Sequence, residues 1–163
     1  MTRGRVVVGV SGSLGSLAAL RAAVDEARGG GSPLLAVTAW EPPEGEALFA
    51  RNPDSAWARH QEDLARAALE RAVQEALGKM PSDVAARKLV VRGKAGPVLC
   101  ALAGRPGDLL VIGARPGGWR GPVRRHVRRH APGCVLTVPA PPRPRRTARA
   151  LRHARAEDFA LHG

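Results

Sequence analysis

Short apolar runs alternate with segments long enough for a helix along most of this chain, and that alternation leaves few folds open to it. Arg5 to Val10 (RVVVGV) is a continuous β-branched run of the kind that fills a strand covered by helices on both faces. Leu34 to Trp40, Arg87 to Val91, Leu109 to Ile112 and Val135 to Val138 read as four further strands. Between the first two, Ser13 is placed to cap a helix whose inner face carries Leu17, Leu20, Val24 and Ala27, and Gly29 to Gly31 end it. Ser55 to Lys79 is the longest helical pattern. Leu64, Ala68, Ala72, Ala76 and Leu77 fall on one side, with Glu62/Arg66 and Glu75/Lys79 as four-residue pairs outside. Gly96 to Leu102 and Gly121 to His130 predict two short helices, the second stopped by Pro132. Glu41 to Asp54, with Pro42, Pro43, Gly45 and Pro53, has turn chemistry and no period, which predicts a mobile surface loop.

Strands that alternate with helices favour a parallel sheet, because each right-handed crossover needs a helix to return the chain. Ligands in such open sheets bind beyond the carboxyl ends of the strands, where strand order reverses. Here that place is the ends of strands one and four, so the loops to inspect are Val10 to Ser13 and Gly113 to Gly121.

With 163 residues, one core and a tail are the working frame. Aromatics are only 3% of the chain, so the core must be built from Ala, Val and Leu. No stretch approaches the roughly 20 apolar residues of a membrane span, and the expected location is cytoplasmic. Cys100 and Cys134 lie in apolar surroundings and are expected as buried free thiols. His60, His126 and His130 form no recognisable zinc set with them, so no metal is expected. The net charge of +12 points toward anionic partners, but Lys occurs only at Lys79, Lys88 and Lys94. The Arg excess accompanies abundant Ala, Gly and Pro, as a GC-rich genome produces without selection, and composition therefore gives no ground to expect nucleic-acid binding. The basic run Arg124, Arg125, His126, Arg128, Arg129 and His130 reads first as a solvated helix face, the alternative being an anion or nucleic-acid patch. Trp40 and Trp57, which flank the loop from Glu41 to Asp54, read as packing at element ends, the alternative being the lining of a ligand pocket. After Pro139 the stretch APPRPRR breaks regular structure, and residues 140–163 form an Arg/Pro-rich tail in which Thr147 to Leu161 has a helical pattern.

Five segments in order carry a family resemblance. VVVGVSGSLGSLAALRAAVDEA, LLAVTAWEPP, VVRGKAGPVLCALA, DLLVIGAR and GPVRRHVRRHAPGCVLTVP together resemble the universal stress protein family across nearly all of Arg5 to Pro139. The resemblance implies an α/β three-layer sandwich. Its open five-stranded parallel sheet has the order 3-2-1-4-5 with helices on both faces, in a Rossmann-like, adenine-nucleotide-binding arrangement. It makes residues 1–139 the domain, and implies a homodimer formed through the last strand at Val135, Leu136, Thr137 and Val138. It also implies a nucleotide site, by position in the family motif, at Val10, Ser11, Gly12, Ser13, Ala39, Gly113, Arg115, Gly117, Gly118, Gly121 and Val123.

Many members hold ATP through a G-x2-G-x9-G-[S/T] motif, in which glycines let backbone N–H groups approach the phosphates and the hydroxyl adds a donor. This chain keeps Gly113, but Pro116, which has no N–H, stands at the second glycine. Gly121 fits the third, yet the loop is about five residues shorter than the pattern requires, and Pro122 replaces the hydroxyl residue. Arg124 stands at a second hydroxyl position, and Ser11 replaces the acidic residue expected after the first strand. Hydrogen bonds to a charged group are worth about 1.5–3 kcal/mol each, so two or three lost donors remove roughly 4 kcal/mol. That turns a micromolar site into one of roughly millimolar affinity. Against this stand Arg115, Arg120 and Arg124, whose guanidinium groups grip phosphate bidentately.

The expectation is therefore a non-catalytic stress-response or regulatory protein with a degenerate nucleotide site and no resident cofactor. The alternatives are an ATP-binding member with at most slow ATPase activity, and an interaction module that takes an anionic partner through its Arg-rich tail. No catalytic residue is assigned. Ser11 and Ser13 lie on a strand-to-helix turn but lack the G-x-S-x-G pattern and a sequence-positioned His or Asp.

Overall fold

A computed structural model describes residues 4–115 and 121–142. The elements run β1 (Val6–Gly9), α1 (Leu14–Gly30), β2 (Leu34–Trp40), α2 (Glu46–Arg51), α3 (Ser55–Leu77), β3 (Ala86–Arg92), α4 (Ala95–Leu102), β4 (Leu109–Gly113), α5 (Pro122–His130) and β5 (Cys134–Val138). The strands form one sheet in the order β3-β2-β1-β4-β5, every neighbouring pair parallel. Both fold expectations hold, the parallel sheet from periodicity and the strand order from the family resemblance.

Side chains alternate across a strand, and β1 divides its valines accordingly. Val6 and Val8 join Leu17, Leu20 and Val24 of α1 and Leu69 and Val73 of α3 in one core layer. Val7 points to the opposite layer, with Leu99 of α4, Leu110 and Ile112 of β4 and Val127 of α5. Helix α1 is bounded as its sequence dictates. Ser13 is its N-cap, its Oγ accepting from the Ser16 amide, and Gly31 closes it in the left-handed region at φ 59°.

At the amino ends of β1 and β4 a buried carboxylate joins the two strands. Asp108 accepts from the Arg5 amide at 2.8 Å, the Arg105 amide at 3.1 Å and the Arg5 guanidinium at 3.3 Å. Burial pushes this carboxyl up, but the hydrogen bonds from those two amides and the guanidinium outweigh burial and hold it below its ordinary value.

Four sequence expectations need correction. The stretch read as a loop contains α2, which is too short to show a period. It is held by Phe49, which is buried, and by Glu46, whose two carboxylate oxygens accept from Arg92 at 2.9 and 2.6 Å. The Arg92 guanidinium also lies 4.1 Å from the centre of the Phe49 ring. In α3, Leu64 is 49% exposed, and the buried positions are Leu69, Ala72 and Val73. The 23-residue helix is about 35 Å long and outruns seven-residue strands of about 23 Å, so its first half has no sheet to cover. The Glu62–Arg66 pair forms at 2.9 Å, whereas Glu75 and Lys79 do not pair, because the helix ends at Leu77 and Gly78 turns the chain at φ 74°. Lastly, Cys100 is buried but Cys134 is exposed, since it starts β5 at the open edge of the sheet.

Candidate ligand cleft at the carboxyl ends of the strands

The crossovers from β1 and β4 leave in opposite directions, and a cleft of about 410 Å³ opens between them. That is within the roughly 300–1,000 Å³ typical of small-molecule sites. Its base is the end of β1 (Gly9, Val10) and of β4 (Ile112, Gly113). One side is the end of β2 from Val37 to Ala39, and the other is the start of α4 and of α5. Thr38 ties the β2 side to the base by donating its Oγ1 proton to the Val10 carbonyl at 2.9 Å.

Hydroxyl groups and backbone order the β1–α1 turn. The Ser11 amide donates to Ser16 Oγ at 3.2 Å, and Ser16 Oγ donates to the Ser13 carbonyl at 3.0 Å. Ser13 Oγ lies 3.1 Å from Ser11 Oγ. Gly12 takes φ 77°, a conformation that L side chains rarely adopt, and this lets the chain reverse between the two serines. The amino end of α1 is thereby aimed at the cleft, where its unpaired amide ends carry partial positive charge.

Of the expected site residues, Val10, Ser11, Ser13, Ala39, Gly113, Arg115, Gly121 and Val123 come together in the cleft lining. Gly12 shapes the turn between two lining serines without lining the cleft itself. Gly117 and Gly118, with Pro116 and Arg120, lie outside the described residues. Gly113 has a structural reason of its own. A Cβ there would fall 2.2 Å from the backbone carbon of Gly15, and one on Gly15 would fall 2.3 Å from the Ala114 carbonyl oxygen. Backbone meets backbone where α1 crosses β4. Gly121 is the N-cap of α5 without a side-chain cap bond, and Pro122 occupies the first turn.

Sequence reasoning missed Ser16 and Thr38. Ser16 stands three residues after the N-cap, a spacing that places it over the first turn and that was available to be read. Thr38 becomes a lining residue only once the parallel register is known. The charged side chains that line the cleft are Arg115 and Arg124, and no carboxylate is among the described lining residues. Two guanidinium groups and the amino ends of α1 and α5 thus lie around the cleft, groups whose chemistry favours an anion.

An open parallel sheet sandwiched by helices, with a cleft at its switch point, defines the class as a Rossmann-like α/β domain. The chain belongs to the universal stress protein family, whose match extends over residues 2–139. None of the curated proteins compared with the chain matches it. Among solved structures, a universal stress protein crystallised in complex with cAMP is 26% identical with a TM-score of 0.62, the match covering 86% of this chain and 100% of that one. Universal stress protein UspA from Lactobacillus plantarum is 20% identical with a TM-score of 0.60, over 85% of this chain and 99% of that one. A universal stress protein family protein from Arabidopsis thaliana with AMP bound is 17% identical with a TM-score of 0.51, over 85% and 92%. These last two bear on the fold alone.

Proposed function

We propose that this universal stress protein is a non-catalytic regulatory protein whose cleft takes an adenine nucleotide with one phosphate group, in preference to ATP. The observation that carries this reading is an unequal cleft. The half formed by β1, β2 and the α1 turn keeps its full span, from Val37 to Ala39 and from Val10 to Ser13, apart from Ser11 in place of the acidic residue. The half that would cradle a triphosphate is cut short, with seven residues between Gly113 and Gly121 and a proline without an amide hydrogen at the start of α5. A single phosphate needs only the α1 amino end and one guanidinium. The cAMP complex of the 26%-identical relative supports a mononucleotide of this kind.

Titration calorimetry with AMP, cAMP and magnesium ATP tests the preference. AMP or cAMP is expected to bind at least about tenfold more tightly than ATP, a difference of about 1.4 kcal/mol. The second reading, ATP held by Arg115 and Arg124 with slow hydrolysis, is favoured by those two guanidinium groups in the lining. It predicts the reverse order, which would overturn the first.

The protein works as a homodimer through β5. Among the described residues this strand is paired on one side only, to β4, and Val135 on it is 36% exposed. An uncovered edge of this kind is a ready template for a second strand. Sedimentation at micromolar concentration is expected to give twice the chain mass, and substitution of Thr137 by Pro, which removes a ladder donor, is expected to give the monomer.

A further inference from the structure

We propose that the exposed face of α5 is a docking surface for the phosphodiester backbone of nucleic acid, bound without regard to base sequence. Charge is divided along the chain. Residues 4–83 hold eleven carboxylates and eight Lys or Arg, whereas residues 84–142 hold eleven Lys or Arg and a single carboxylate, Asp108. Asp108 is buried and its charge faces Arg5, so it offers nothing to α5.

Within that basic half, Arg125, Arg128 and Arg129 are exposed, and their three- and four-residue spacing places them on one face of the helix. The ion pairs formed among the described residues involve Arg5, Arg28, Arg66, Lys88 and Arg92, and none involves these three. Local energetics oppose the cation at Arg125. Arg125 and Arg129 are like charges four apart, and Arg125 stands in the first turn, where the helix dipole disfavours a cation and no acidic residue is present. A phosphate lying along this face reverses both penalties at once.

The chemistry of the face separates nucleic acid from an acidic protein. Protein interfaces are anchored by apolar and aromatic side chains inside a polar rim, whereas nucleic-acid interfaces are polar and strongly positive. Both valines of α5 are committed to the core, Val127 completely buried and Val123 packed beside it. Among the described residues the exposed large apolar side chains are Leu14, Leu48, Leu64 and Val135, all on other segments. The α5 face thus offers guanidinium groups without an apolar anchor.

Fluorescence anisotropy of the full chain with a labelled duplex DNA of mixed sequence tests the proposal. Three phosphate contacts contribute a slope of about −2.7 in log affinity against log salt, or roughly 40-fold between 50 and 200 mM. The combined variant Arg125→Gln, Arg128→Gln, Arg129→Gln is expected to lose that part of the slope, and each single variant about 0.9 of it. A charge-matched control, Arg51→Gln, Arg71→Gln, Lys79→Gln, changes exposed cations on other elements and is expected to retain it. Absence of binding at 50 mM salt, equal weakening by both triple variants, or displacement of the duplex by polyglutamate at matched charge concentration would each overturn the proposal.

Discussion

Asp108→Ala is expected to destabilise the fold by about 3–5 kcal/mol, the range seen when one partner of a buried ion pair is removed. The carboxylate accepts from two backbone amides and a guanidinium, and Ala removes that acceptor from both amides, while Arg5 Nη2 keeps the Leu102 carbonyl at 2.6 Å. The loss acts on the centre of the sheet, since Arg5 precedes β1 and Asp108 precedes β4. Acid should reproduce part of it. The folded-state value of Asp108 lies below its unfolded value of about 4, so the carboxylate contributes fully above that pH and its contribution is lost as pH falls through the folded value. Denaturant unfolding of both proteins between neutral pH and about pH 2 should show the gap between them narrowing at the acid end. A constant gap would mean that the carboxylate charge contributes nothing.

Gly113→Val should be comparably severe for a different reason. Its Cβ would overlap the backbone of Gly15 and the Ser16 amide at 2.2 to 2.5 Å, and backbone cannot rotate away as a flexible side chain can. Overpacking typically costs 1–3 kcal/mol, and with no rotamer available as an escape we expect about 3 kcal/mol or more, a fall in Tm of roughly 10 °C. The displacement of α1 would also move Ser11 and Ser13, so ligand affinity should fall with stability. Gly29→Ala is the internal comparison. A Cβ there meets nothing within 4 Å, and Ala in place of Gly inside a helix is expected to add about 0.5–1 kcal/mol. Thermal unfolding of the two variants distinguishes a steric requirement for glycine from general intolerance of substitution.

How far each feature could be read in advance depended on whether it is written along the chain or between its parts. Strand and helix spans were legible to within one or two residues, because β-branched runs, the Ser13 cap and the glycines after α1 are local signals. Topology alone points to the ends of strands one and four as the place for a cleft, and the cleft opens there. The unread features are distances between elements. Periodicity places Gly113 at the end of a strand but says nothing of how closely Gly15 approaches it. The burial of Leu64 was misjudged because an apolar stripe does not reveal how long the sheet beneath it is. Helix α2 is not legible because six residues make fewer than two turns, and its anchor, Arg92, comes from distant sequence.

The contrast between the two cysteines gives this protein a built-in chemical handle. Cys100 lies within the α4 layer, and burial pushes its thiol up, away from the reactive thiolate form. Cys134 stands in the open on the outermost strand. A maleimide dye added to the native chain therefore attaches at one defined position, beside the edge where a second copy would join. The rate of that attachment becomes an optical gauge of whether the edge is covered, without any engineered residue.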